Sequence, residues 1–169
     1  MNAAIDRRSL QVIYGYNAHA NDLLLDTAAQ LSAEQYDEVV SPNYTSIRKL
    51  VQHIFLTEGY FLAKCQQRPF EPIVPATIAE LRAAWHALHQ ERDAYLATSG
   101  DDELGRVLTV QMRDQMFQFS PWQLLMQAVM HAAHHRGELA IMLGALGHPL
   151  ANMDIIVYFS EQAGQPWPW

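Results

Sequence analysis

The sequence predicts an all-α protein built as a four-helix bundle, with a small β-hairpin ahead of its last long helix. Three observations lead there. Long segments repeat their apolar residues with a helical rather than an alternating period. Capping residues stand at the starts of several of these segments. Half of the 169 residues are hydrophobic and 17% are charged, the balance of a chain with a sizeable core.

The elements follow in order. A first helix is expected over Ile5–Gln30, with Ile13, Asn17 and Leu24 on its inner line. Ser32 with Gln35 has the spacing that satisfies free amides at a helix start, opening a short helical turn over Ala33–Glu38. The second long helix runs from Ser46 to Gln67 on a stripe of Ile47, Ile54 and Phe61, with Glu58 near its centre. Pro69, Pro72 and Pro75 then exclude a helix from Arg68 to Pro75. Thr77 with Glu80 opens the third helix, Ile78–Ala97. Val107–Gln111 and Met116–Phe119 are expected to pair as the hairpin. Ser120 with Gln123 caps the fourth helix, Pro121–Leu146, whose first position suits the missing amide of Pro121. Gly147 and Pro149 end it. Asp154–Ser160 reads as a short final helix. No linker or repeat interrupts the chain, giving one domain over residues 1–165 and a non-helical tail over 166–169.

The totals exclude several functions. Net charge is −7, and no basic cluster is longer than Arg7-Arg8 or Arg48-Lys49, so nucleic-acid binding lacks its electrostatic footprint. No run approaches the roughly 18 apolar residues of a membrane span. Cys65 is alone, which removes any intrachain disulfide, and the first residues lack the pattern of a signal peptide. A cytoplasmic protein acting on a small molecule, away from membranes, is the expectation.

The chemistry concentrates in His131-Ala132-Ala133-His134-His135-Arg136-Gly137-Glu138. Histidines at i and i+4 project from one helix face, so His131 and His135 can grip one metal ion together. On a stripe drawn through Leu124, Ala128, Met142 and Leu146 the pair lies within about 20° of the centre, while His134 lies about 80° away. Buried imidazoles without a ligand would need other partners, which is the alternative reading of the pair. Two histidines are an incomplete grip. A third donor must come from His19, His53 or Glu58, and spacing alone does not choose among them. His86 and His89 stand in a polar run and read as solvated.

Tyr16-Asn17-Ala18-His19-Ala20-Asn21, Ser46-Ile47-Arg48, Leu50-Val51-Gln52-His53-Ile54, Leu81-Arg82-Ala83-Ala84-Trp85, Trp122-Gln123-Leu124-Leu125, His131 to Gly137 and Leu146-Gly147-His148 occur in an order that resembles the DinB/YfiT-like superfamily of metal-dependent proteins. The resemblance covers most of the chain. It implies a four-helix bundle, commonly a homodimer, whose metal is held by His53 with His131 and His135. It also implies a divalent ion, with zinc or nickel the leading candidates, and activation of a low-molecular-weight thiol for S-transfer. A metal-bound hydrolase and a non-catalytic, stress-related metal-binding protein are the alternatives. Three positions depart from the family pattern. Glu138 stands where glutamine is usual, Met130 replaces asparagine, and His19 occupies a commonly aromatic place.

The remaining candidates carry two readings each. Arg136 suits an anionic substrate group or a surface ion pair with an acid such as Glu138. Asn17 faces the pocket or bonds between helices. Glu58 is a general base or, preferably, a partner that orients a ligand histidine. His19 and His134 are further pocket groups. Gly137 implies close packing beside the site, and Cys65 reads as a small buried hydrophobe.

Overall fold

The computed structural model describes residues 4–41, 44–165 and 167–168. The long helices are α1 (Arg7–Ala28), α3 (Ile47–Cys65), α4 (Ile78–Thr98) and α6 (Pro121–Ala145). Shorter ones are α2 (Ala33–Asp37), α5 (Asp101–Gly105) and α7 (Ile155–Gln162). Two antiparallel hairpins complete the chain, β1 (Val39–Ser41) with β2 (Tyr44–Ser46) and β3 (Leu108–Met112) with β4 (Gln115–Phe119). No helix of the described residues is long and apolar enough to cross a membrane.

Local chemistry accounts for the boundaries. Asp6 accepts the Ser9 amide and starts α1 two residues later than the periodicity suggested. Reciprocal capping boxes open α2 at Ser32/Gln35 and α4 at Thr77/Glu80. Gly147, at φ +83°, ends α6 while His148 N–H reaches back to the Leu143 carbonyl. Two elements escaped the sequence reading. The β1–β2 strands are too short to show alternation, and Ser46 ends β2 as well as capping α3. Helix α5 has no capping side chain, and its periodicity is hidden by Asp101, Asp102 and Glu103 in the first turn, where acids favour the positive end of the helix. Of the expected tail, Trp167 and Pro168 have no regular structure, and Pro166 and Trp169 lie outside the described residues.

The four long helices form a ring in which α1 packs on α4 and α6, and α3 packs on the same two. The core has two apolar halves. One gathers Leu24, Leu25 and Ala28 of α1, Ile47 to Phe55 of α3, Leu81 and Trp85 of α4, and Leu139 to Leu143 of α6. The other gathers Leu10 and Tyr14 of α1, Phe61 to Cys65 of α3, Leu96 of α4, and Leu124 to Val129 of α6. Helices α1 and α6 therefore run in one direction, and α3 and α4 in the other. Two parallel neighbours cannot be joined by a tight turn, so the chain between them must travel the length of the bundle. The proline-rich segment does this. Phe70 lies near Gly59, the Pro75 carbonyl accepts from Gln52 Nε2, and the Ala76 carbonyl accepts from Arg48, each contact further back along α3.

Candidate metal centre

The seam between α3 and α6 carries three imidazoles. His53 precedes the buried Ile54 on α3, and His131 precedes the buried Ala132 on α6, so both stand on the shoulder of a core-facing stripe. His135 follows one turn after His131. The three offer donor atoms that all lie within 4.8 Å of one another. His53 Nε2 and His131 Nε2 are 2.9 Å apart, close enough for one N–H to donate to the other ring. The ring centroids of His131 and His135 are 4.3 Å apart, and each lies 4.9 Å from that of His53. His53 is exposed and the other two are half-buried, so the cluster opens to solvent on one side.

The buried face of α6 differs from the line drawn in sequence. Its middle passes through Leu125, Ala132, Leu139 and Leu143. His135 lies about 60°, and His131 about 100°, from that middle. Counting Leu125 and Arg136 as inward residues moves the line, and this places the histidines at the rim, where a ligand can reach them.

Partial burial holds His131 well below its ordinary value, to about 4, and the neighbouring His135, His53 and His134 add repulsion in the same direction. His53 is lowered for the same two reasons, desolvation and His135. Low proton affinity keeps both rings neutral at pH 7, as metal ligands must be. His135 Nδ1 lies 2.6 Å from Glu138 Oε2. A carboxylate there accepts a hydrogen bond from Nδ1–H, which keeps the proton on Nδ1 and leaves the Nε2 lone pair free for a metal. His134 Nε2 lies 3.0 Å from the other Glu138 oxygen on an outward-turned side chain, and does not join His53 and His131. Three imidazole nitrogens with a carboxylate behind one of them suit a borderline divalent ion, so the residues fit the group that the resemblance implies.

The other sequence candidates lie elsewhere. Glu58 is not beside His53; its carboxylate accepts from Asn17 Nδ2 at 2.8 Å, Asn21 Nδ2 at 3.0 Å and Trp85 Nε1 at 3.1 Å, all buried. Arg136 is not a surface residue. It is buried, and its Nη1 donates to the Asn17 and Asn21 carbonyl oxygens at 2.8 and 2.7 Å. Asn17 thus bonds between helices. His19 turns toward α7, with Nε2 3.5 Å from Glu161 and its ring against Tyr158. His89, expected in solvent, is largely buried 3.9 Å from Glu58, and burial lowers its pKa to about 4. A Cβ at Gly137 would meet nothing within 4 Å, so close packing is not its purpose. Cys65 is a buried hydrophobe whose thiol burial pushes up to about 12.

Sequence reasoning also missed the surroundings of the histidines. A cleft of about 390 Å³ begins at His53 and His131 and continues between Leu56, Tyr60, Phe61 and Phe70. Phe70 belongs to the proline-rich segment, whose return path along α3 no local pattern reveals.

The model of the DinB family matches residues 2–166. Among solved structures, a DinB-like protein from Bacillus subtilis, YjoA, aligns with a TM-score of 0.64 at 20% identity, over 85% of this chain and 97% of the other. That likeness is one of fold. No curated protein matches.

Proposed function

This chain belongs to the DinB family, and from that membership and its three converging imidazoles we propose that it is a metal-dependent enzyme acting on a small thiol. His53, His131 and His135 would hold a divalent ion, zinc or nickel. The observation that carries this reading is the placing of three donors within 4.8 Å at the mouth of a cleft, with Glu138 behind His135. When bound, such an ion lowers the pKa of a water or holds a thiol as its thiolate.

The protein's own groups supply the rest. Three side-chain donors leave at least one coordination position for substrate, the arrangement of catalytic rather than closed structural sites. Glu138 fixes the orientation of His135. The aromatic wall keeps one side of the cluster away from bulk water, which favours a thiolate as a reacting group over a solvated one. S-transfer from that thiolate to an electrophilic partner is the reaction class this arrangement serves best.

Metal analysis of the purified protein is expected to find about one divalent ion per chain, as one three-donor site implies. His53→Ala, His131→Ala and His135→Ala should each reduce it severely, and His134→Ala should leave it in place. Loss of metal in His134→Ala with retention in His135→Ala would overturn the ligand set. A metal-loaded protein that consumes no thiol in the presence of alkylating electrophiles would remove the transferase reading.

A further inference from the structure

We propose that the cleft beside the histidines selects an uncharged thiol carrying an aromatic group, with Phe70 as the residue that sets this preference. The inference rests on the metal-site reading above and names the class of its substrate.

Continuity is the first argument. His53 and His131 are lining residues of the cleft itself, so a ligand whose sulfur points at the imidazoles must lay its remaining atoms against the cleft wall. A volume of about 390 Å³ lies in the range of sites for small organic ligands. Charge is the second. Among the residues lining the cleft none is Lys, Arg, Asp or Glu, and the only polar groups besides the histidines and the Tyr60 hydroxyl are Thr57 and Gln127. A carboxylate laid along this wall, too far from the imidazoles to reach an ion held there, would lose water without finding a cation among the lining side chains. A thiol whose tail carries a charge is therefore disfavoured by desolvation.

Shape is the third argument. Phe70 is not a loosely held loop residue. A Cβ at Gly59 would come within 3.2 Å of Phe70 Cε2, so the ring is seated directly on the α3 backbone where glycine leaves room. Its other side meets the Tyr60 ring at 5.7 Å and 90°. Behind Phe70 and Leu56 lies a second chamber of about 380 Å³, reaching Phe55 and Leu88 and rimmed by Arg68, Glu71 and Glu91. Phe70 is the partition between the two. It offers a substrate ring an edge or a face, and it limits how far the substrate extends.

The test uses the full chain loaded with cobalt(II), whose sulfur-to-metal absorption reports bound thiolate. Phenylmethanethiol, 2-mercaptoethanol and 4-(mercaptomethyl)benzoate, whose carboxylate cannot reach the metal that its sulfur binds, serve as probes. Phenylmethanethiol is expected to bind about tenfold or more tightly than 2-mercaptoethanol, the gain of burying one phenyl group, and more tightly than its carboxylate derivative. Phe70→Ala should bring the first two close to parity while cobalt affinity stays unchanged. Leu56→Gln, on the same wall, provides a second variant if Phe70→Ala fails to fold. Equal binding of the two neutral thiols, or a preference that survives in the folded variant, overturns the inference. Should the protein bind no cobalt, the metal reading itself fails and the cleft is tested without it. Titration of the metal-free protein with benzyl alcohol, followed through leucine methyl NMR, then supports the inference by shifting Leu56 and overturns it by leaving Leu56 unmoved.

Discussion

Glu138 shows how one side chain organises the histidine cluster without being one of its three converging donors. Its Oε2 holds His135 Nδ1 at 2.6 Å and its Oε1 holds His134 Nε2 at 3.0 Å, so a half-buried carboxylate is fixed between two rings. The bond fixes the His135 tautomer and its ring angle. Glu138→Leu is expected to weaken metal binding about 10- to 100-fold, the usual effect of deleting such a partner. Glu138→Gln, whose amide oxygen still accepts from Nδ1–H, should cost less than the leucine variant. Competition with a chelator of known affinity measures both, and an unchanged affinity in Glu138→Leu would remove this role. The spacing of three residues from His135 was visible in the sequence. Its meaning was not, because His134 stands four residues from the same carboxylate and only the side-chain geometry shows that Glu138 serves both.

At the scale of elements, each of the four long helices contributes to one buried polar layer. Asn17 and Asn21 come from α1, Glu58 from α3, Trp85 from α4 and Arg136 from α6. The two asparagines each face both charges, giving an amide to the carboxylate and a carbonyl to the guanidinium. The carboxylate accepts three hydrogen bonds, while the guanidinium is held through Nη1 and keeps Nη2 buried without a hydrogen-bond partner, so the two amides that link the charges carry the compensation. The layer also fixes the relative height of the helices, since a slip of one turn would break several bonds together. Arg136 follows His135 directly, so the layer anchors α6 at the level of the histidine cluster. Arg136→Met should destabilise the protein by about 3–5 kcal/mol, because Glu58 loses its compensating charge and two amide carbonyls lose their donor in a dry interior. The Glu58→Gln/Arg136→Met double variant should lose less than the two single changes together. Urea unfolding tests this, and an Arg136→Met loss below about 1 kcal/mol would place the arginine among solvated groups. The helices themselves were legible from caps and periodicity. This layer was only half legible: Asn17 and Glu58 stood on apolar lines, but an arginine beside three histidines reads as a surface charge until its partners on another helix are known.

For the whole molecule, the deciding feature is the parallel placement of α3 and α4. Caps and periodicity are local and carry no direction, so the sequence yielded four helices without saying which point the same way. The core supplies the direction. Along α3 and along α4 the apolar residues pass from the half containing Trp85 to the half containing Leu96, and along α1 and α6 they pass the other way. The chain from Gln66 to Thr77 must then cover the 19 residues of α3, about 28 Å of helix. Fully extended, it reaches about 40 Å. Three prolines hold it near that extension and remove amides that would need partners. The slack is about 12 Å, or three to four residues. Deleting residues 71–72 should therefore leave a cooperative thermal transition with a modestly lower midpoint. Deleting residues 70–74 leaves a connection of about 23 Å, too short unless α3 or α4 unwinds at its end, and should abolish the sharp transition. Far-UV circular dichroism on heating distinguishes the two. If the five-residue deletion melts like the parent chain, α3 and α4 are not parallel, the segment does not run back along α3, and the wall that Phe70 gives the histidine cleft does not exist.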